Sequence, residues 1–263
     1  MEFVLRHHIS HTGARLVEAF QPIAVRPQSE NRWLFGVRCV VDLQLLTIFR
    51  FLRCPLGACR GRVLDVGAGE SPWKDLLPAS VNYVGVDADS SGEFGMRRKS
   101  DVIYYDGEKL PVDDDSFDHV LCTEVLEHVS DPAVFLTELK RVLRRGGTLI
   151  LTVPWAARLH HLPHDYYRFT RFGLAAALVN AGFSSLSIEE RGSDVAVIAN
   201  KLVVLTMRLL RPPQWRNGVW SWPLAVLLAP VTAGFLGAAH IALLFKLGSK
   251  EDPLGYGAIA TKV

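Results

Sequence analysis

Three carboxylates stand at the ends of consecutive short apolar runs, at intervals that suit a nucleoside-bearing ligand. Asp65-Val66-Gly67-Ala68-Gly69 closes the run that begins at Val63, Asp87 closes Tyr83-Val84-Gly85-Val86, and Asp106-Gly107 follows Val102-Ile103-Tyr104-Tyr105. Glycines let a backbone turn sharply and approach a ligand, and a helix starting beyond such a turn favours a negatively charged group. A carboxylate about twenty residues past the loop, at the end of the next strand, can accept hydrogen bonds from both hydroxyls of a ribose. Asp106 is placed to accept from an adenine amino group, with a neighbouring N–H donating to the ring. Glycine turns after strands also serve nicotinamide and flavin cofactors, or only shape a turn. The spacing argues against a dinucleotide, because its G-x-G-x-x-G fingerprint needs glycine at position 72, where this chain has Pro72.

A second concentration of chemistry lies between Pro154 and Thr170, where His160, His161, His164, Asp165, Tyr166, Tyr167 and Arg168 crowd one connection. Its place after an apolar run puts it at the carboxyl end of a strand, where ligand crevices form, so it reads as a loop facing the acceptor. Histidine is the side chain best suited to general-base work near neutral pH; His164 is the first candidate and His161 the second. Asp165 and Arg168 can alternatively pair and hold the loop. Near the start, His7, His8 and His11 include an i, i+4 pair, yet no further ligands accompany them; they read as a solvated arm, and no metal site is expected.

The elements that must position these residues follow from the alternation of apolar runs with helical stretches, the pattern of βα units and a mostly parallel sheet. Strands are predicted near 62–66, 83–87, 102–105, 117–122, 148–153 and 184–190, with a last one over 256–263. Helices are predicted near 33–52, 73–77, 132–143 and 171–181. Asp131 and Pro132 suit the start of the third of these, and Arg144-Arg145-Gly146-Gly147 its end, while Thr170 suits the N-cap of the fourth.

With these elements in order, the run Leu110-Pro111-Val112-Asp113-Asp114-Asp115-Ser116-Phe117-Asp118, followed by Val120-Leu121-Cys122-Thr123-Glu124-Val125-Leu126-Glu127-His128, completes a series that resembles class I methyltransferases of the type 11 group. The resemblance covers roughly residues 60–190. It implies a Rossmann-like α/β sheet with helices on both faces and an antiparallel final strand, and S-adenosyl-L-methionine as cofactor. It further implies that the loop from Asp65 through Gly67, Ala68 and Gly69 meets the methionine part, Asp87 the ribose, and Asp106 and Gly107 the adenine, with Thr123 and Glu124 flanking the site. Many members carry a third glycine where this chain has Ser71. The reading here is a tighter loop, with Pro72 starting a helix and Trp73 covering the cofactor. His128 belongs to the signature, as a hydrogen-bonded structural histidine or a catalytic one. No Asn-Pro-Pro-Tyr or Asp-Pro-Pro-Tyr follows the fourth strand, which argues against nucleobase amines as acceptors.

The composition sets the remaining limits. The 263 residues carry a net charge of +2 and no dense basic face, which argues against a nucleic-acid partner. Cys39, Cys54, Cys59 and Cys122 lack C-x-x-C spacing, and Met1–Ser10 holds no secretory signal, so a cytoplasmic setting is expected. The mean hydropathy of +0.18 is concentrated, since Asn217 to Phe245 contains no Asp, Glu, Lys or Arg. Three parts are predicted: an arm over 1–30, a methyltransferase domain over 31–191 with 255–263, and an apolar helical insertion over 192–254. In the insertion, Asn200, Lys201, Arg208 and Arg211 form a stripe on an otherwise apolar helix, and the uncharged segment is flanked by Arg216 and Lys246, with Trp215, Trp220 and Trp222 at one end. This pattern suits a monotopic or re-entrant attachment to the inner face of a membrane, bending at Pro230 and Gly234 or Gly237. The alternative is burial of these helices against each other, the sheet or a second subunit. The function expected is methyl transfer to a small or lipid-linked acceptor, such as a quinone precursor or a lipid-carried sugar. A small-metabolite enzyme that uses the insertion as lid or dimer interface, and a cofactor-binding scaffold without catalysis, are the alternatives. Oligomeric state is left open.

Overall fold

The computed structural model describes residues 23–212 and 218–263; His7, His8 and His11, and also Trp215, Arg216 and Asn217, lie outside the described residues. Seven strands form one sheet: β1 (Arg62–Val66), β2 (Asn82–Ala88), β3 (Val102–Tyr105), β4 (Phe117–Thr123), β5 (Leu143–Pro154), β6 (Phe183–Arg191) and β7 (Gly255–Lys262). Their order is β3-β2-β1-β4-β5-β7-β6, parallel from β3 to β5, with β7 antiparallel to both neighbours. The chain moves outward through β2 and β3 and then crosses to place β4 on the other side of β1. The carboxyl ends of β1 and β4 therefore diverge in their connections, which opens a crevice at that switch point.

Helices cover both faces, and the alternation along the strands decides which side chain meets which helix. Leu64 and Val66 of β1, Val120 and Cys122 of β4, and Leu149, Leu151 and Val153 of β5 share a core with α3 (Pro132–Val142) and α4 (Arg171–Asn180). Val63, Leu121 and Ile150, their neighbours on the other face, pack with α1 (Arg32–Val41) and α2 (Leu43–Ala58). The single helix predicted over 33–52 is thus two. Asp42 leaves helical backbone (φ −97°, ψ 93°) and its side chain accepts from Leu45 N at 3.0 Å, so the same residue ends α1 and caps α2. Gly257 of β7 is required by that layer, since a Cβ there would lie 2.6 Å from the Phe51 ring of α2.

Three further boundaries differ from the sequence reading. The helix expected over 73–77 is one 3₁₀ turn, Lys74–Leu76, and Pro72 does not begin it. Trp73 does not cover the cofactor crevice; it is buried in the α1–α2 layer with Val63 and Ile150. Strand β5 starts at Leu143, five residues earlier than predicted, because Leu143 turns directly from α3 into extended backbone. Gly146 (φ +76°) consequently belongs to a bulge between the Phe117 and His119 pairings, not to a helix cap. The caps at Asp131 and Thr170 form as predicted, with Asp131 accepting from Ala133 N and Val134 N, and Thr170 from Gly173 N.

The apolar insertion is a helical hairpin, α5 (Asp194–Leu210) and α6 (Gly218–Phe245). Ala196 and Ala199 of α5 share a cluster with Ala239 of α6, and Thr206 Oγ1 meets Thr232 Oγ1 at 2.8 Å, so the two run antiparallel. The base of the hairpin is closed where Asp194 Oδ1 accepts from Ser249 N and Asp194 N donates to Ser249 O. The turn-back foreseen at Pro230 and Gly234 or Gly237 does not occur: α6 runs unbroken through Pro223 and Pro230, and the chain returns by pairing two helices.

Candidate cofactor and acceptor site

The crevice at the ends of β1 and β4 is shaped by backbone that ordinary residues adopt reluctantly. Gly67 and Gly69 have φ of +75° and +50°, and Ser71, at the third glycine position, follows with φ +54°. Ser71 is thus a serine in a glycine conformation, fully buried, with its N–H donating to Ala68 O at 2.6 Å. A Cβ on Gly67 would lie 2.3 Å from Val125 Cγ2, so the loop after β1 sits directly against the segment after β4. Gly67 N and Ala68 N both donate to Val86 O, which ties the loop to β2.

Asp87 holds the loop from the side. One carboxylate oxygen accepts from Gly69 N at 2.9 Å and the other from Ala88 N at 2.8 Å, and burial raises the carboxyl above its ordinary range against the pull of those two donors. Asp65 is 2 % exposed and accepts from Tyr83 Oη at 2.8 Å. Burial above all, with the nearby Asp87 charge, lifts its pKa to about 7 while the Tyr83 hydrogen bond opposes the shift. Asp106 and Gly107 lie on the surface beyond β3, where Asp106 Oδ1 accepts from Glu108 N and Gly107 adopts φ +89°. Thr123 ends β4, opposite Thr152 of β5, and both hydroxyls are buried without a hydrogen-bond partner. Glu124 follows with φ +53° and accepts from Arg191 Nη2 at 2.7 Å.

The loop over 155–170 is held from within. Arg168 grips Asp165 with two hydrogen bonds of 2.6 and 2.7 Å and donates to Arg158 O at 2.9 Å. Burial works against ionising Asp165, yet Arg168 and the His160 N–H outweigh it and hold the carboxyl below its usual range. The pairing considered from sequence is therefore present. The two base candidates separate: the His161 ring lies 5.1 Å from that of His128, at the end of β4, whereas His164 is exposed with its Nδ1 3.0 Å from Tyr166 Oη. The His164 carbonyl instead meets His128 Nδ1 at 2.7 Å. Burial, followed by the neighbouring His160, pushes His128 down to about 3, so it is a neutral imidazole.

Comparison with known proteins matches residues 64–151 to the family described as a methyltransferase domain. A probable S-adenosylmethionine-dependent methyltransferase of Mycolicibacterium smegmatis is 35% identical over 101 residues, 36% of this chain and 39% of that protein. A demethylmenaquinone methyltransferase of Beutenbergia cavernae is 40% identical over 111 residues, 38% of this chain and 46% of that one. The chain spans less than half the length of these curated relatives. Among solved structures, a SAM-dependent methyltransferase of Thermotoga maritima, described as a possible histamine N-methyltransferase, covers 90% of this chain and 96% of its own at 16% identity, with a TM-score of 0.51, and shows the same fold. Residues 64–151 form a class I S-adenosylmethionine-dependent methyltransferase domain.

The crevice of this methyltransferase domain fits the cofactor on its own evidence. Asp87 stands beside the loop with its carboxylate fixed by two N–H groups, and the hydroxyls of Thr123 and Thr152, buried without a hydrogen-bond partner, lie at the ends of β4 and β5. Bound there, S-adenosylmethionine supplies an electrophilic methyl group, and the chain's task is to orient and desolvate it.

Sequence reasoning missed two residues that support the crevice. Arg191, 3% exposed at the end of β6, donates to Glu124, to Val153 O and to Tyr256 O, and so joins three strand ends below the crevice. An arginine closing an alternating strand before Gly192 is the available signal. Glu127, in the signature after β4, is fully buried with neither oxygen hydrogen-bonded, and burial, reinforced by the nearby Glu124, raises its carboxyl well above the usual range. Its backbone carbonyl accepts from Tyr166 N and Tyr167 N, which fastens the 155–170 loop to the end of β4.

Proposed function

We propose that this protein transfers the methyl group of S-adenosylmethionine to a hydrophobic or lipid-linked acceptor, and that it works attached to the cytoplasmic face of a membrane through the hairpin of α5 and α6. The observation that carries the reading is the arrangement of α6. Its small residues Gly218, Ala225, Thr232 and Ala239 recur every seven positions and are buried. Its large ones, Trp220, Val226, Leu227, Leu244 and Phe245, are between 66% and 83% exposed. A helix of a water-soluble domain buries its large apolar side chains and leaves small or polar ones outside. Only 17% of the most apolar window of α6 is buried, and its mean hydropathy is 1.9.

The surrounding surface supports the same reading. Trp33, Leu34, Val37 and Val40 of α1 are exposed, and Val40 O is hydrogen-bonded to His240 Nε2 of α6 at 2.8 Å, so the two apolar faces adjoin. Arg208, Arg211 and Lys246 stand at the helix ends, where cations reach lipid headgroups. At 28 residues α6 is about 42 Å long, ample for a hydrocarbon core of about 30 Å. Both ends of the hairpin remain at the sheet, so the attachment leaves the methyltransferase domain on one side. The demethylmenaquinone methyltransferase relatives are in keeping with an apolar acceptor. For a hydroxyl acceptor, His164 is the proposed base in preference to His161, because His161 turns inward toward His128.

The test is methyl transfer from labelled S-adenosylmethionine to lipid and aqueous metabolite extracts, with the protein recovered from carbonate-washed membranes. Label entering the organic phase and protein remaining in the membrane pellet are expected. Label confined to a water-soluble product, or recovery of the protein wholly in the soluble fraction, would overturn the reading.

A further inference from the structure

We infer that His128, His160 and His161, with Glu127 beside them, form a binding site for one divalent transition-metal cation of the zinc class at the carboxyl end of β4. Each histidine offers a ring nitrogen, and the three lie within 4.8 Å of one another. Around a zinc ion with Zn–N of about 2.0–2.1 Å, nitrogens stand about 3.4 Å apart. From the upper bound of 4.8 Å the nitrogens need approach by at most about 1.4 Å on ligation.

The outer contacts orient the rings as metal ligands require. His128 Nδ1 faces His164 O at 2.7 Å, and His160 Nδ1 faces Arg158 O at 3.0 Å and Asp165 Oδ2 at 3.3 Å. With both Nδ1 protons directed at backbone carbonyls, both rings carry their lone pair on Nε2, the arrangement in which outer-shell acceptors fix ligating histidines. His128 Nε2 is buried with no hydrogen-bond partner, and so are both oxygens of Glu127, whose Oε1 lies 3.7 Å away. Leaving such groups buried and unpaired is costly, and a coordinated cation removes that cost. Three imidazoles with one carboxylate favour zinc, cobalt or nickel over magnesium or calcium, which take oxygen ligands. The ion would clip the 155–170 loop to β4 and thereby set the position of the loop's acceptor-facing side chains. This site does not depend on which acceptor the enzyme uses.

The experiment uses the full chain, purified in detergent without a histidine tag, stripped with chelator and titrated with Co(II), with Zn(II) as competitor. One cobalt per chain is expected, with visible ligand-field bands of a four-coordinate, imidazole-bound ion that zinc displaces, and zinc should raise the melting temperature. His161→Ala and His128→Gln should abolish the bands, and Glu127→Gln should weaken binding about 10- to 100-fold. His7→Ala/His8→Ala/His11→Ala should leave them unchanged, which separates this site from the amino-terminal histidines. Absence of stoichiometric binding in the wild type, bands that survive His161→Ala, or bands lost in the amino-terminal triple variant would each overturn the inference.

Discussion

Asp65 shows how one residue of a ligand loop can serve the fold. It opens the glycine turn, yet its carboxyl is directed at Tyr83 and kept from water, with a pKa near neutrality, at about 7. An unfolded aspartate ionises near 3.9, so the folded chain favours the neutral carboxyl. The sign follows: the stabilisation this residue gives is full below about pH 4 and is lost as pH rises through about 7. A separation of roughly three units corresponds to at most about 4 kcal/mol. Asp65→Asn, which keeps the shape and removes the charge, should therefore gain stability relative to wild type as pH rises. Urea unfolding at about pH 5 and about pH 8 checks this, and an equal difference at both values would remove the burial argument. Asp87, only two strand positions away in the sheet, is raised in the same direction by burial, against the pull of two backbone N–H groups that stabilise its anion.

At the scale of elements, the decisive contact is between the loop after β1 and the segment after β4. Gly67 combines a left-handed backbone with a neighbour that leaves no room for a side chain. Gly67→Ala should cost roughly 2–4 kcal/mol, from backbone strain of about 1–2 kcal/mol together with overpacking against Val125. Cofactor affinity should fall with it, because relief of the clash moves the loop off Val86 and Asp87. Thermal melting and calorimetric titration with S-adenosylmethionine measure both, and a variant as stable and as tightly binding as wild type would contradict the geometry. Ser71 marks the limit of this rule: it holds a similar φ without glycine, in a position where its N–H bonds Ala68 O. The Leu110–Asp118 segment owes its course to Arg141 of α3, whose guanidinium binds Glu138, Asp114 and the carbonyls of Leu110 and Val112.

For the whole molecule, the question is what the outer face of α6 meets. Val226 and Leu227 are 69% and 72% exposed. Replacing both with lysine should leave the melting temperature of the detergent-solubilised protein unchanged. In a bilayer core the same charges cost about 2.5–3.5 kcal/mol each. Val226→Lys/Leu227→Lys should therefore move the protein from the membrane pellet to the soluble fraction. If the substitutions instead dissolve a soluble dimer, seen by sedimentation, while membrane recovery stays as it was, the face is a subunit interface and not a lipid contact.

The sequence alone determined the βα order and the strands that carry or lead to Asp65, Asp87 and Asp106, because these depend on local periodicity and on residue types at short spacing; the cofactor class came only through the family resemblance that those residues carry. It also marked 192–254 as apolar. It did not resolve the break at Asp42, the early start of β5 or the burial of Trp73, since each is set by packing between segments distant in the chain. Most of the site's second layer was equally out of reach. His128 and His160 are 32 positions apart, and Glu124 and Arg191 are separated by 67. Only the sheet, by placing the end of β4 beside β5 and the 155–170 loop, and by drawing β6 in through β7, brings such groups within bonding distance. The direction of α6 was decided in the same way: its composition is apolar all round, and only its small-residue contact with α5 turns the large side chains outward.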